Sequence, residues 1–417
     1  MRNSCLRSAA LAVTLSGCVS GSDDRRHGPI FNPIDPDSGA GSSSAPPAEG
    51  GGPIADAEAH DVTIAPDASF DVSVPEAGDA AACAAEVAVV AGSATSLYEA
   101  SFAAGGPWVT SFASVSVLSQ PALVAAGSGF HAVLRTSGDL LKSVTSQGAS
   151  WSQPSGIGAS TTTIDAPALA VAGSAIHVVY LGSNSKFYHG TFSANAWDMA
   201  SDPVGAGLAQ SFGPSPPSAT FMGGSLTIAQ SGSDHFLYDQ SLAGSGWGMA
   251  HQQSSAMVST VRPTISGLTG GGNDAIVVFG HVADNKIAFT TQAGGAWSPA
   301  AMLDGTATSV DPVSVAPLAG GRAALVYRSA TDQKSYFSIF DATKTPVWSV
   351  PLLLAGAATP AGPPAVATGV CGDDAIAAYP LGGDNVQVVR LRGGAWTAPE
   401  AVPTTNGATR VAIATRP

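Results

Sequence analysis

Gln292-Ala293-Gly294-Gly295-Ala296-Trp297-Ser298-Pro299 is the clearest copy of a phrase that returns through the whole chain. Near-copies run through Gln147-Gly148-Ala149-Ser150-Trp151-Ser152-Gln153-Pro154 and Arg392-Gly393-Gly394-Ala395-Trp396-Thr397-Ala398-Pro399. Looser ones surround Trp108, Trp197, Trp247 and Trp348, so that all seven tryptophans sit in a copy. Their separations are 43, 46, 50, 50, 51 and 48 residues. A period of that size marks a propeller, with one four-stranded blade per repeat. Small residues such as Gly294-Gly295 let the chain turn tightly between a third and a fourth strand, where positive φ is needed. A flat indole at the start of the outer strand then covers the gap to the next blade. The alternative use of the same seven residues is a ring of sugar-stacking platforms.

The rest of each repeat reads as short strands. A unit opens at a proline, as in Pro121-Ala122-Leu123-Val124-Ala125-Ala126 or Pro312-Val313-Ser314-Val315-Ala316. A turn leads into an apolar run such as Ala275-Ile276-Val277-Val278-Phe279, and a polar turn such as Ala283-Asp284-Asn285 follows it. Then come a third strand, Lys286 to Thr291 for example, and the Trp phrase. Runs of this length between Gly and Asn/Asp turns specify antiparallel strands, and no segment carries a helical period. Only two strands, Glu86 to Ala91 and Leu97 to Ala103, precede Trp108, whereas a surplus strand, Arg410 to Ala414, follows Trp396. Propellers close when one chain end lends a strand to the blade at the other end, which removes exposed edges. The expectation is an all-β, seven-bladed propeller of four-stranded antiparallel blades over residues 86–417, closed by the C-terminal strand.

Two segments of different character come first. Residues 1–17 carry Arg2 and Arg7 ahead of the apolar run Ala9-Ala10-Leu11-Ala12-Val13. A basic start, a short apolar stretch and small residues before a cut describe an export signal; a membrane span needs about 20 apolar residues. Leu15-Ser16-Gly17-Cys18 resembles the lipobox of bacterial lipoproteins, which implies that Cys18 is lipidated and becomes the mature N-terminus. Cys5 then lies in the discarded part, and Val19 in place of an Asp points to outer-membrane delivery in a Gram-negative cell. Residues 18–85 are rich in Gly, Pro, Ser, Ala and Asp, with twelve acidic residues against Arg25 and Arg26. Such a stretch buries too little apolar surface to offset its ordering entropy and is expected to be a disordered acidic tether. The chain carries a formal net charge of −13 and no basic patch, which excludes a nucleic-acid partner.

The phrase before each Trp resembles a worn Asp-box, the Ser-x-Asp-x-Gly-x-x-Trp hairpin of sialidase-type propellers. Ser146, Gly148 and Trp151 keep part of it, and Thr291, Gly294 and Trp297 another part. The Asp is absent from every copy, so the likeness is one of turn geometry. Residues 86–417 also resemble seven-bladed bacterial lectins, which bind fucose and related sugars between blades without catalysis. That resemblance implies sugar-holding Arg on second strands and Glu on third strands. Arg135, Arg328 and Glu99 are the residues at those positions.

Cys83 and Cys371 fall in the same class of loop of blades that closure makes neighbours. In an oxidising compartment such a pair is expected to form a disulfide; the alternative is two unpaired small core residues. Chemistry is expected where the loops leading into the innermost strands crowd the axis. The residues near the opening prolines are Gln120, Asp165, Arg262 and Asp311, joined at closure by Arg410. Arg262 and Asp311 open adjacent blades and are expected to approach each other. Carboxylates and guanidinium groups in one funnel bind polar or sugar ligands, although Asp before Pro also simply starts turns.

A sialidase-like glycoside hydrolase acting at the central channel is the alternative function. It would draw on Arg262, Arg410 and Tyr98-Glu99, but no second carboxylate is visible at the roughly 5 to 9 Å that paired-carboxylate hydrolysis needs. His131 and His177 occupy equivalent second-strand positions and read as core residues. Asp373-Asp374 and Asp384 lie in turns that could hold calcium but are usually only turns. The expected protein is a monomeric, lipid-anchored envelope protein with no cofactor, metal or catalytic residue assigned. Its propeller binds a glycan or a surface protein.

Overall fold

Seven antiparallel sheets stand around a common axis in the computed structural model. It describes residues 85–103, 106–148, 150–158, 161–203, 215–244, 246–258, 261–354 and 359–417. The expected signal peptide, the tether, Cys18 and Cys83 lie outside them. Blades 2 to 7 open with innermost strands Ala122–Ala126, Ala168–Ala172, Ser218–Met222, Thr264–Gly267, Ser314–Leu318 and Ala365–Thr368. Blade 1 takes its innermost strand from the C-terminus: Arg410–Arg416 pairs antiparallel with Glu86–Gly92, from Gly92 opposite Arg410 to Glu86 opposite Arg416. An Arg416–Glu86 ion pair of 2.7 Å pins the far end of that closure. The seven-bladed, all-β reading and its closing strand therefore stand. A single 3₁₀ turn at Ser137–Asp139 is the only helical element among the described residues.

Second strands are packed on both faces and are therefore rich in apolar residues. In blade 5, Ala275–Gly280 is wholly buried. Ile276 and Val278 join a cluster with blade 6, while Val277 and Phe279 join one with blade 4. Alternate side chains thus serve two inter-blade cores, and period 2 disappears from the sequence. Innermost strands have an unpaired edge, and neighbouring hydroxyls satisfy it. The Ile265 N–H donates to Ser218 Oγ (3.0 Å), Gly267 N–H to Thr220 Oγ1 (3.2 Å) and Val366 N–H to Ser314 Oγ (3.1 Å). Edge donors bonded across the ring cannot template another chain.

The Trp phrase does two things, of which one was visible in advance. Gly294 and Gly295 have φ of 57° and 81°, as do Gly393 and Gly394 at 53° and 84°. Two successive positive φ values make the hairpin turn that matches strand twist. The second function belongs to the residue after the Trp. Its hydroxyl accepts the third-strand N–H in four blades: Thr145 to Ser152, Thr291 to Ser298, Ile339 to Ser349 and Arg390 to Thr397, at 2.9–3.1 Å. The outer strand breaks there and resumes only as a short piece, such as Ala301–Met302 after Ala296–Trp297.

The indoles cover a gap, but toward the preceding blade rather than the next. Trp151 packs on Val90 and Leu97 of blade 1, and Trp396 meets Phe337 of blade 6 edge-on. Trp197 donates from Nε1 to Ser143 Oγ of blade 2 at 3.2 Å. The hairpin sets this direction. Trp197 lies opposite Phe192 and Trp247 opposite Leu242, and paired residues project from the same face. That face looks back along the ring.

Candidate functional site

The expected mouth of the channel exists, with partners that differ from expectation. Gln120, Asp165, Arg262 and Asp311 all precede innermost strands, and Arg410 begins one, so all five stand at the same end of the ring. Arg262 does not turn to Asp311. Its guanidinium reaches over the axis from blade 5 to Gln120 Oε1 of blade 2 (3.3 Å) and the Pro167 carbonyl of blade 3 (3.4 Å). Asp311 is instead held by Arg328, which ends the second strand of its own blade and also donates to the Pro360 carbonyl (3.4 Å). Sequence order made blades 5 and 6 neighbours, but Arg328 is the nearer cation and a long Arg262 side chain is not confined to its neighbour.

Asp165 keeps its carboxylate on its own turn, accepting the Ala166 N–H at 2.7 Å. Burial raises its pKa, opposed by that bond and by the fields of Arg262 and Arg135. Burial lowers the pKa of Arg262, and Asp165 opposes the shift. Burial likewise lowers that of Arg410, helped by the charge of Arg135. Gln120 links the two sides of the mouth, donating to the Val411 carbonyl (3.3 Å) while accepting from Arg262. Below them lies a small cavity of about 170 Å³ lined by innermost strands. The turn reading of these aspartates also holds: the Thr163 hydroxyl bonds the carbonyls of Asp165 and Leu181, and that of Ser309 the carbonyls of Asp311 and Arg328.

The residues at the positions of the fucose-lectin pattern are not brought together. Arg135 pairs with Asp139 (2.7 Å) at the mouth, whereas Glu99 is buried between blades and accepts from Ser111. Its Oε1 has no partner among the described residues, and burial raises its pKa. A raised carboxyl pKa means that the folded state prefers the protonated form. Its stabilising share is complete below the unfolded value and is lost as pH rises toward the folded one. Glu99→Gln is therefore expected to raise the melting temperature by about 2–4 °C at pH 7 and to change little at pH 4. Parallel thermal melts check this, and a variant less stable at both pH values would refute it.

Among the histidines, His177 Nδ1 and His189 Nε2 share a hydrogen bond of 2.9 Å, and burial with the nearby His177 pushes His189 down to about 4. His131 packs obliquely on Phe192, and its Nδ1 has no partner among the described residues. No cluster of three ligating side chains occurs among the described residues. Asp373, considered for calcium, is fully buried between Arg390 (3.0 Å) and Arg392.

A cleft of about 320 Å³ between blades 7 and 1 was not anticipated. Phe102, Arg390, Arg392, Glu400 and Cys371 line it. Arg390 lies 5.0 Å above the Phe102 ring, and Trp108 Nε1 donates to Glu400 Oε1 at 2.7 Å. Glu400 stays about half exposed. Arg390 and Glu400 belong to blade 7 and Phe102 and Trp108 to blade 1, so nearly 300 residues separate the two halves. The one available signal was closure, which sets Trp108 against blade 7. Cys371 is disulfide-bonded. A larger groove between blades 2 and 3, about 570 Å³, is lined by Phe192, Trp197 and His131 and has no carboxylate or guanidinium.

No protein-family model matches the chain, and no curated protein does. Solved structures do match. The BP39L lectin from Burkholderia pseudomallei is 13% identical, with a TM-score of 0.58 covering 77% of this chain and 96% of that one. AofleA from Arthrobotrys oligospora is 12% identical, with a TM-score of 0.50 covering 72% and 90%. The SapL1 lectin, solved in complex with alpha methyl fucoside, is 13% identical, with a TM-score of 0.50 covering 70% and 98%. At such identities the likeness shows the fold: this chain carries the propeller architecture of these proteins.

Proposed function

We propose that the propeller is a glycan-binding module, displayed on an acidic tether whose lipidated Cys18 anchors it to the cell envelope. The cleft between blades 7 and 1 carries the reading. A sugar ring offers hydroxyls and one apolar face, and this cleft offers a carboxylate acceptor in Glu400, a guanidinium in Arg390 and the ring of Phe102. Trp108 holds the Glu400 carboxylate in place, so little ordering remains to be done on binding. The sugar bound by the SapL1 lectin of this fold makes methyl α-fucoside the first probe.

A glycan array followed by calorimetry tests the reading. Glu400→Gln keeps the oxygen that Trp108 bonds but removes the charge, and is expected to weaken glycan binding about tenfold with no change in melting temperature, the loss of one charge-assisted hydrogen bond. Equal affinity would move the site out of this cleft. An array without hits would overturn the glycan reading in favour of a protein partner. The anchor is checked separately: Cys18→Ala should shift the protein from the membrane to the soluble fraction. The hydrolase alternative gains no support, since Glu99 lies buried under Ser111 and Glu86 is paired with Arg416.

A further inference from the structure

We propose that the glycan taken by this propeller is a straight oligosaccharide, laid along blade 1 from the cleft to an aromatic platform made by Tyr98 and Phe112. This rests on the cleft reading above and adds to it the length and shape of the ligand.

Blade 1 has an outer strand unlike those of blades 2, 5, 6 and 7. There a Ser or Thr after the Trp takes a third-strand N–H, and the outer strand breaks. Val109 follows Trp108 and has no hydroxyl. The ladder therefore runs on unbroken, from Ser101 opposite Val109 to Leu97 opposite Ala113. Paired residues share a face of the sheet. Phe102 with Trp108, Ala100 with Thr110 and Tyr98 with Phe112 thus line one face in succession. That face looks at blade 7, since Tyr98, Ala100, Phe102 and Trp108 pack in one cluster with Val388 and Val402.

The two aromatic pairs are alike in build, with ring centroids 5.5 Å apart in each. Four residues of strand separate them, about 13 Å, the length of about three sugars in an extended chain. Half-buried Thr110 sets a hydroxyl midway. The Tyr98 ring is held by its own hydroxyl, which donates to the Asn406 carbonyl at 2.8 Å. Phe112 rests against that ring with 55% of its surface exposed, the most exposed aromatic side chain among the described residues. An apolar surface left open beside a binding cleft points to a ligand that covers it. A chain of equatorially linked pyranoses presents C–H faces to the two aromatic pairs and hydroxyls to Thr110. A chain that curves would leave a straight strand after its first ring.

Calorimetry of the full chain with cello- and chito-oligosaccharides of one to four units tests this. Affinity is expected to rise about tenfold between one unit and three or four, the contribution of one stacked ring. Malto-oligosaccharides, which curve, should gain nothing with length. Phe112→Ala should remove most of the gain while leaving single-unit affinity and the melting temperature unchanged, and Phe112→Trp should keep it. Glu400→Gln acts in the cleft and should weaken every length by the same factor. Affinity independent of length, or a Phe112→Ala loss equal at every length, would overturn the track and leave the cleft reading standing. So would uptake of methyl α-fucoside with neither straight series bound. Binding of no sugar at all would overturn the glycan reading, and the track with it.

Discussion

Trp348→Ala is expected to cost the propeller about 3–5 kcal/mol, the usual loss when a large aromatic side chain is cut back in a packed core. Of the seven repeated tryptophans, Trp348 alone is fully buried, at 2% exposure; the others are half-buried. Its ring packs edge-to-face against Phe289 of blade 5 (5.6 Å) and obliquely on Phe340 of its own blade (5.3 Å). It also joins a cluster holding Ile276, Val278 and Tyr327, so the cavity left by Ala would lie between two blades. Trp348→Phe should recover much of the loss, because the indole Nε1 has no partner among the described residues to forfeit. Urea denaturation of both variants checks this, with Trp297→Ala as the half-exposed comparison expected to lose less. Equal losses for Trp297→Ala and Trp348→Ala would mean that burial does not set the role of these residues.

The second large effect concerns closure. We propose that the partner of Cys371 is Cys83, which joins the start of the domain to the turn of blade 7 beside the cleft. Cys371→Ser is expected to lower stability by about 2–5 kcal/mol, the range for removing a disulfide from a secreted domain. Cys371 has φ of 58°, a left-handed value that Ser must adopt at similar cost, so the substitution reports on the bond rather than on the backbone. Mass mapping of the unreduced protein should recover the Cys83 and Cys371 peptides joined. Recovery of both as free thiols would remove the clasp, and a variant melting at the wild-type temperature would show that the Arg410–Arg416 strand closes the ring by itself. The same variant also reports on the cleft, since Cys371 lines it.

Much of the architecture was legible in local residues because it is local physics. Gly294-Gly295 demands a tight turn wherever it stands, and a Trp phrase recurring seven times at one period leaves room for one four-stranded blade per repeat. Counting strands ahead of Trp108 and after Trp396 even disclosed the closure, since an unpaired first blade needs a partner. The direction of the indoles was not legible. A pattern shows that Trp197 and Phe192 share a face, but only the twist of the blade says whether that face looks forward or back. The hydroxyl after Trp151, Trp297, Trp348 and Trp396 was written in the phrase as Ser or Thr, yet its bond to the third strand exists only once the hairpin is folded.

Sites divide along the same line. Strand order was enough to bring Gln120, Asp165, Arg262, Asp311 and Arg410 to one end of the ring, because every innermost strand starts there. Which of them meet depended on side-chain reach and on competition for counter-ions. Arg328 took Asp311, and Arg262 crossed the axis to Gln120. The cleft of Arg390, Glu400, Phe102 and Trp108 joins residues from the two ends of the chain. No spacing rule links residues that far apart; they become neighbours only when the last strand pairs with the first blade. Periodicity records backbone geometry repeated along the chain, whereas a binding site is a set of side chains chosen by distance in space.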